Sequence, residues 1–162
     1  MTEGQARVTE VRVGVVDVCV IRIVGRSWKV LALRRAALTR SPGSWEFVHG
    51  HVEKTERPAN AARRELREET GLTTEKLYCI TVNPFYLQKN DTVQIALVFA
   101  AIVDSEHVKL GTEHDRYEWM TVAAASKRLT WPRDAESLRL ARHLLKSGDA
   151  GTVEDVLRAK DS

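Results

Sequence analysis

Between Gly50 and Leu72 the chain gathers the groups best suited to chemistry: Glu56, Arg64, Glu65, Glu68 and Glu69, framed by Gly50 and Gly71. Pro58 suits the first turn of a helix, where its missing N–H costs nothing. Residues 58–70 are rich in Ala, Arg, Glu and Leu, good helix formers. Gly71 is a natural C-terminal stop. At about 100° per residue, Ala59, Ala62, Leu66 and Thr70 fall within about 80° of one another and form a stripe that can pack on a sheet. Glu65, Glu69 and Glu68 then lie at about −100°, −60° and −160° from Leu66, on one flank beside that stripe.

Three like charges on one flank repel by a few tenths of a kcal/mol per pair. Arg63, Arg64 and Arg67 offset this if the flank is simply a solvated, salt-bridged surface. A hard divalent cation offsets it better. Carboxylate oxygens suit Mg²⁺ or Mn²⁺, and Mg²⁺ favours one or two carboxylates plus water and substrate phosphate. Both readings stand on spacing alone.

The stretch resembles the signature of the Nudix hydrolase family, Gly-x5-Glu-x7-Arg-Glu-U-x-Glu-Glu-x-Gly-U, with U apolar. Gly50, Glu56, Arg64, Glu65, Leu66, Glu68, Glu69, Gly71 and Leu72 match it without a miss. The resemblance implies that Glu65, Glu68 and Glu69, with the Gly50 carbonyl region, hold Mg²⁺ or Mn²⁺. It implies that Glu56 assists and that Arg64 orients a glutamate by a charge-assisted hydrogen bond. It also implies cleavage of a nucleoside diphosphate linked to another moiety. Such a linkage is polyanionic and water is a poor nucleophile; divalent ions neutralise phosphate oxygens and lower the pKa of bound water, and a carboxylate takes the proton.

The base lies inside the box or in a later loop. Thr112-Glu113-His114 followed by Tyr117-x-Trp119 resembles the corresponding loop of the dihydroneopterin triphosphate pyrophosphatase branch, an alternative to an acidic surface turn. By that resemblance Glu113 is a late metal ligand or base. The leading expectation is therefore metal-dependent hydrolysis of a nucleoside triphosphate or analogue to a monophosphate and pyrophosphate. The alternatives are an ADP-sugar or dinucleoside polyphosphate hydrolase, and a catalytically silent nucleotide-binding sensor.

The loop before the box departs from the commonest family form. His49 and Thr55 stand where many members carry glycine. His49 and His51 touch phosphate or metal, or are solvated loop histidines. Arg34 and Arg35 are candidates for the outer phosphates, where a guanidinium binds bidentately. Phe85, Tyr86 and Trp131 are candidates for stacking a base or pterin, with core packing the alternative.

Around the box, β-branched residues over 8–24 predict one long strand or two, and Trp28–Leu33 a strand returning from it. Residues 45–48 predict a short strand and 49–57 a polar loop. Strands follow over 76–86, 92–103 and around Tyr117–Val122, and a helix over 133–146. The tail over 148–162 is expected to be loose or, from 152, to add one short helix. Strands on both sides of a central helix predict a mixed sheet with helices packed on it. The resemblance implies a Nudix-type α/β/α sandwich with a central mixed β-sheet.

The 162 residues fit a single domain spanning 1–162. A net charge of +3, with basic residues scattered among acidic ones, carries no clustered footprint for nucleic acid. No apolar run approaches the ~20 residues of a membrane span, and the N-terminal residues carry no secretory h-region. Cys19 and Cys79 sit in apolar runs with no partner at metal-ligand spacing and read as reduced thiols, so a cytoplasmic location is expected. A small nucleotide-type substrate and a monomer or homodimer complete the reading.

Overall fold

The computed structural model describes residues 7–160. Seven strands form one sheet: β1 (Glu10–Val24), β2 (Ser27–Arg35), β3 (Trp45–Glu46), β4 (Val48–His51), β5 (Lys76–Leu87), β6 (Thr92–Ile102) and β7 (His114–Met120). The helices are α1 (Pro58–Thr70), α2 (Val122–Arg128), α3 (Pro132–Leu144) and α4 (Glu154–Leu157). The main path runs β3-β2-β1-β6-β5, with β4 paired to β1 and β7 to β2. β1 and β6 are parallel and the other pairs antiparallel, so the sheet is mixed, as expected.

The sheet is covered on both faces, which is why β1 reads as a nearly continuous apolar run rather than an alternating one. Val16, Val18 and Val20 belong to one core with Ala61, Ala62 and Leu66 of α1. Cys19 and Ile21 point the other way, into a core with Ala125 of α2 and Leu138 and Ala141 of α3. The molecule is thus an α/β/α sandwich.

α1 begins with Pro58 in its first turn and ends at Gly71, whose φ of 72° is left-handed and whose N–H donates to the Arg67 carbonyl. One detail of the helix differs from the periodicity argument. Glu69 is only 5% exposed, so it belongs to the packed side rather than to a solvated flank.

Two further differences, and the ordering of the tail, have local causes. Residues 49–51 are not loop: β4 continues to His51 because it pairs with β1, Val16 opposite Gly50 and Asp17 opposite His49. α2, over 122–128, is absent from the sequence reading; Thr121 caps it, its hydroxyl accepting from the Ala124 N–H at 3.2 Å. Of the two readings of the tail, the one with a short helix holds over 151–159. A short 3₁₀ turn and α4 lead to a bridge between Arg158 and Tyr78, and the Ala159 N–H donates to the Leu77 carbonyl at 2.8 Å. Residues 161–162 lie outside the described range. Both cysteines are free, Cys19 buried and Cys79 half-buried. Among the described residues, no helix is long and apolar enough to cross a membrane.

Candidate active site

The β4–β1 pairing sets Gly50 directly against α1. A Cβ at position 50 would overlap the Glu65 carboxyl group, so only glycine admits that side chain. Arg64 is the hub of the box. Its Nε and Nη2 donate to the two oxygens of Glu56 at 2.9 and 3.0 Å. Its Nη1 donates to Glu65 at 2.8 Å and to Glu68 at 3.3 Å, and Nη2 also donates to the His51 carbonyl at 2.8 Å. The loop before α1 closes on itself as the Glu53 N–H donates to Glu56 at 2.9 Å.

Glu69 stands apart from that hub. Its Oε2 accepts from the His49 N–H at 3.3 Å, and its Oε1 is buried without a hydrogen-bond partner. Burial raises its pKa most, and the Glu113 and Glu65 carboxylates raise it further, to about 10. Glu113 arrives from the segment after β6, whose backbone is pinned to the end of α1: Lys109 N–H donates to Thr70 O at 2.8 Å and Gly111 N–H to Glu69 O at 3.3 Å. The Glu113 carboxylate thus acts directly on Glu69, two like-charged groups from separate parts of the chain. Glu65 is also raised, by burial first and by Glu68 and Glu113, against the opposing pull of Arg64.

As the side chains stand, no three Asp, Glu, His or Cys donors converge on a metal position among the described residues. Two observations nevertheless fit a hard divalent cation. The donors are carboxylate oxygens that repel one another, and Glu69 Oε1 is a buried acceptor with nothing to accept from.

A cleft of about 540 Å³ opens beside these carboxylates. Glu65, Glu113, Arg35, His49 and Gly50 line it, together with Phe85, Trp131, Arg133 and Asp134. The structure brings Arg35 to the cleft but not Arg34. Alternation along β2 turns Arg34 outward, where its Nε donates to Asp115 at 2.7 Å. Tyr86 reaches only the rim: it is 55% exposed and its hydroxyl donates to Asp91 at 2.8 Å. Phe85 and Trp131 both face the Arg133 guanidinium, at 5.1 and 5.0 Å from their ring centroids. His49 is not a free loop residue. Its Nδ1 lies 2.6 Å from Asp17 Oδ1. Burial lowers its pKa, but Asp17, Glu46 and Asp134 outweigh this and leave it raised.

Sequence reasoning missed Asp17, Glu46 and Asp134, all lining the cleft and all buried. Asp17 had a signal: it is a lone carboxylate inside an apolar strand run. Asp134 did not, because an acid in the first turn of a helix reads as a dipole partner. Burial and the nearby Asp17 push it up to about 7, against Arg133.

The sequence model of the NUDIX domain matches residues 12–141. The chain is 34% identical over 129 residues to a Myxococcus xanthus protein named octanoyltransferase, across 78% of this chain and 36% of that protein. It is 31% identical over 91 residues to the nucleoside triphosphatase NudI of Escherichia coli, across 49% of this chain and 62% of that protein. The chain therefore spans about a third to three-fifths of these curated relatives. Among solved structures, the MutT protein from Methanosarcina mazei Go1 superposes with a TM-score of 0.69 at 26% identity, covering 85% of this chain and 98% of that one.

Proposed function

Because this chain belongs to the NUDIX domain family, we propose that it is a divalent-cation-dependent pyrophosphohydrolase of a nucleoside triphosphate or close analogue, releasing a monophosphate and pyrophosphate. The single observation that carries this reading is a cleft lined by Glu65, Glu113, Arg35 and the aromatic Phe85 and Trp131, with Glu113 acting on the buried Glu69 beside it. Anion-binding, proton-accepting and base-stacking groups then share one cleft. The name of the relative NudI, a nucleoside triphosphatase, supports a triphosphate.

Glu65, Glu68 and Glu69, with the Gly50 carbonyl, would hold Mg²⁺ or Mn²⁺. Bound there, the cation neutralises phosphate charge and acidifies an attacking water. The remaining work belongs to the chain. Arg64 holds Glu56, Glu65 and Glu68 in one geometry. Arg35 pairs with the phosphates. Glu113, whose carboxylate faces Glu69, takes the proton from the attacking water. Trp131 and Phe85 bracket the base or pterin, and Asp134 addresses its polar edge.

The test is phosphate release, with and without added pyrophosphatase, across nucleoside triphosphates, dihydroneopterin triphosphate, ADP-ribose and diadenosine polyphosphates, each with Mg²⁺, Mn²⁺ or chelator. Cation-dependent pyrophosphate from a triphosphate is the expected result. Monophosphates from the ADP-linked compounds alone would move the substrate class. Nucleotide binding without turnover of any compound would make the chain a sensor and sink the catalytic reading.

A further inference from the structure

Glu46 lies on β3, outside the box, and is 8% exposed. One of its oxygens, Oε1, accepts two hydrogen bonds at 2.9 Å, from Arg35 Nη1 and from His114 Nε2. A carboxylate only accepts, so His114 Nε2 carries the proton. Burial raises the Glu46 pKa, but the His114 and Arg35 hydrogen bonds more than offset this and hold it below the ordinary carboxylate range.

The two donors come from the end of β2 and the start of β7, where Arg35 and His114 are partners across the ladder. Each leads to a different job. Arg35 lines the cleft, and its Nε donates to the Arg40 carbonyl, so Glu46 and Arg40 fix the guanidinium from two sides. His114 directly follows Glu113. Its ring is 1% exposed, and the Glu113 carbonyl accepts from the Ala36 N–H at 2.9 Å. The segment that presents the Glu113 carboxylate to Glu69 is thus pinned by its backbone on β2 and by the His114 ring on Glu46.

We infer that Glu46 is a positioning residue that sets Arg35 for the substrate phosphates and Glu113 for the reacting end at the same time. It acts through the two side chains that its Oε1 holds. It makes binding and turnover depend on one buried oxygen shared by two strands. The inference rests on the hydrolase reading above and deepens it.

The experiment is steady-state kinetics on the triphosphate that the wild-type chain turns over best. A wild type that turns over nothing defeats the hydrolase reading itself, before any variant is made. With an active wild type, Glu46→Ala raises KM and lowers kcat, each about ten-fold, the scale of losses from groups that orient a site. Glu46→Gln retains an accepting oxygen and recovers part of both. Arg35→Ala moves KM more than kcat, and His114→Ala moves kcat more than KM. Adding Glu46→Ala to the Arg35→Ala/His114→Ala pair changes neither constant further. A Glu46→Ala loss confined to one constant, or one that persists undiminished in the double variant, overturns the inference. So does a loss that only tracks the folded fraction in a thermal melt. If Glu46→Ala does not fold, Glu46→Gln alone and on the double variant decides by the same split.

Discussion

Arg64 and Glu56 face each other as a fork, two parallel N–H···O bonds of 2.9 and 3.0 Å between a guanidinium and both oxygens of one carboxylate. The remaining guanidinium nitrogen reaches Glu65 and Glu68, so one cation spaces three of the box carboxylates. Arg64→Lys keeps the charge and loses the fork, because an ammonium cannot present planar paired donors. The expected outcome is a kcat/KM lower by about ten-fold to a hundred-fold with a melting temperature within a few degrees of wild type. Kinetics and a thermal melt on the same preparation check it. A lysine variant of full activity would show that charge alone does the spacing.

Gly50 leaves room for Glu65 that no other residue leaves. Gly50→Ala drives a methyl group into the Glu65 carboxyl, and the flexible side chain yields before the backbone does. Glu65 is then displaced from the cleft while β4 still pairs with β1. The expected result is Mn²⁺ affinity weakened by about ten-fold or more, with the melt of the cation-free chain little changed. Cation titration by calorimetry and a melt in chelator separate the two. Unchanged Mn²⁺ affinity would remove Glu65 from the ligand set.

The box, the helix and the mixed sheet were legible because each rests on a local rule. Pro58 and Gly71 mark the ends of α1, and the run of β-branched residues marks β1. Glu113 was legible only through resemblance, since nothing local places a residue after β6 against Glu69. Arg34 and Arg35 were indistinguishable in sequence. The face of β2 separates them, and that face depends on the pairing with β3 and β7. The acidic cluster of Asp17, Glu46 and Asp134 was illegible because its members come from three elements far apart in the chain. His49 looked like a loop residue because its partner, Asp17, is across a strand pair rather than nearby in sequence.

Glu69 carries the clearest stability signature of the box. Its folded pKa of about 10 lies above the ordinary value of 4.5. Between those values the folded chain keeps a proton that the unfolded chain releases, so the cation-free fold loses stability as pH rises through that window. Glu69→Gln removes the cost. In chelator at about pH 8 the variant is expected to melt higher than wild type, by about 2–4 °C for each kcal/mol regained, and at about pH 4 the two melt alike. With Mn²⁺ the order at high pH reverses, because only the wild type has the carboxylate to offer. A glutamine variant that melts lower than wild type in chelator at both pH values would show that Glu69 is held by stabilising contacts rather than by burial and like charge.

Asp134 titrates in the range where the cleft would work. Burial first, and then Asp17 and Glu46, raise it to about 7 from 3.8, against Arg133 and His49. Its carboxyl is therefore protonated below about 7 and can donate one hydrogen bond to a ligand at the aromatic end. Above that value it becomes a buried anion beside another carboxylate. The sign follows: stability falls as pH rises from about 4 to about 7, and KM for a substrate whose base accepts that hydrogen bond rises through the same upper limit. Asp134→Asn always offers a donor and never ionises. It is expected to flatten the KM profile between about pH 5.5 and 8.5 and to leave kcat within about three-fold, since the charges that act most on Asp134 are Asp17, Arg133, Glu46 and His49 rather than the carboxylates of the box. KM profiles of wild type and variant on one triphosphate check this. If the variant profile still rises through neutral pH, the titrating group belongs elsewhere in the cleft, with His49 and its partner Asp17 the next pair to replace.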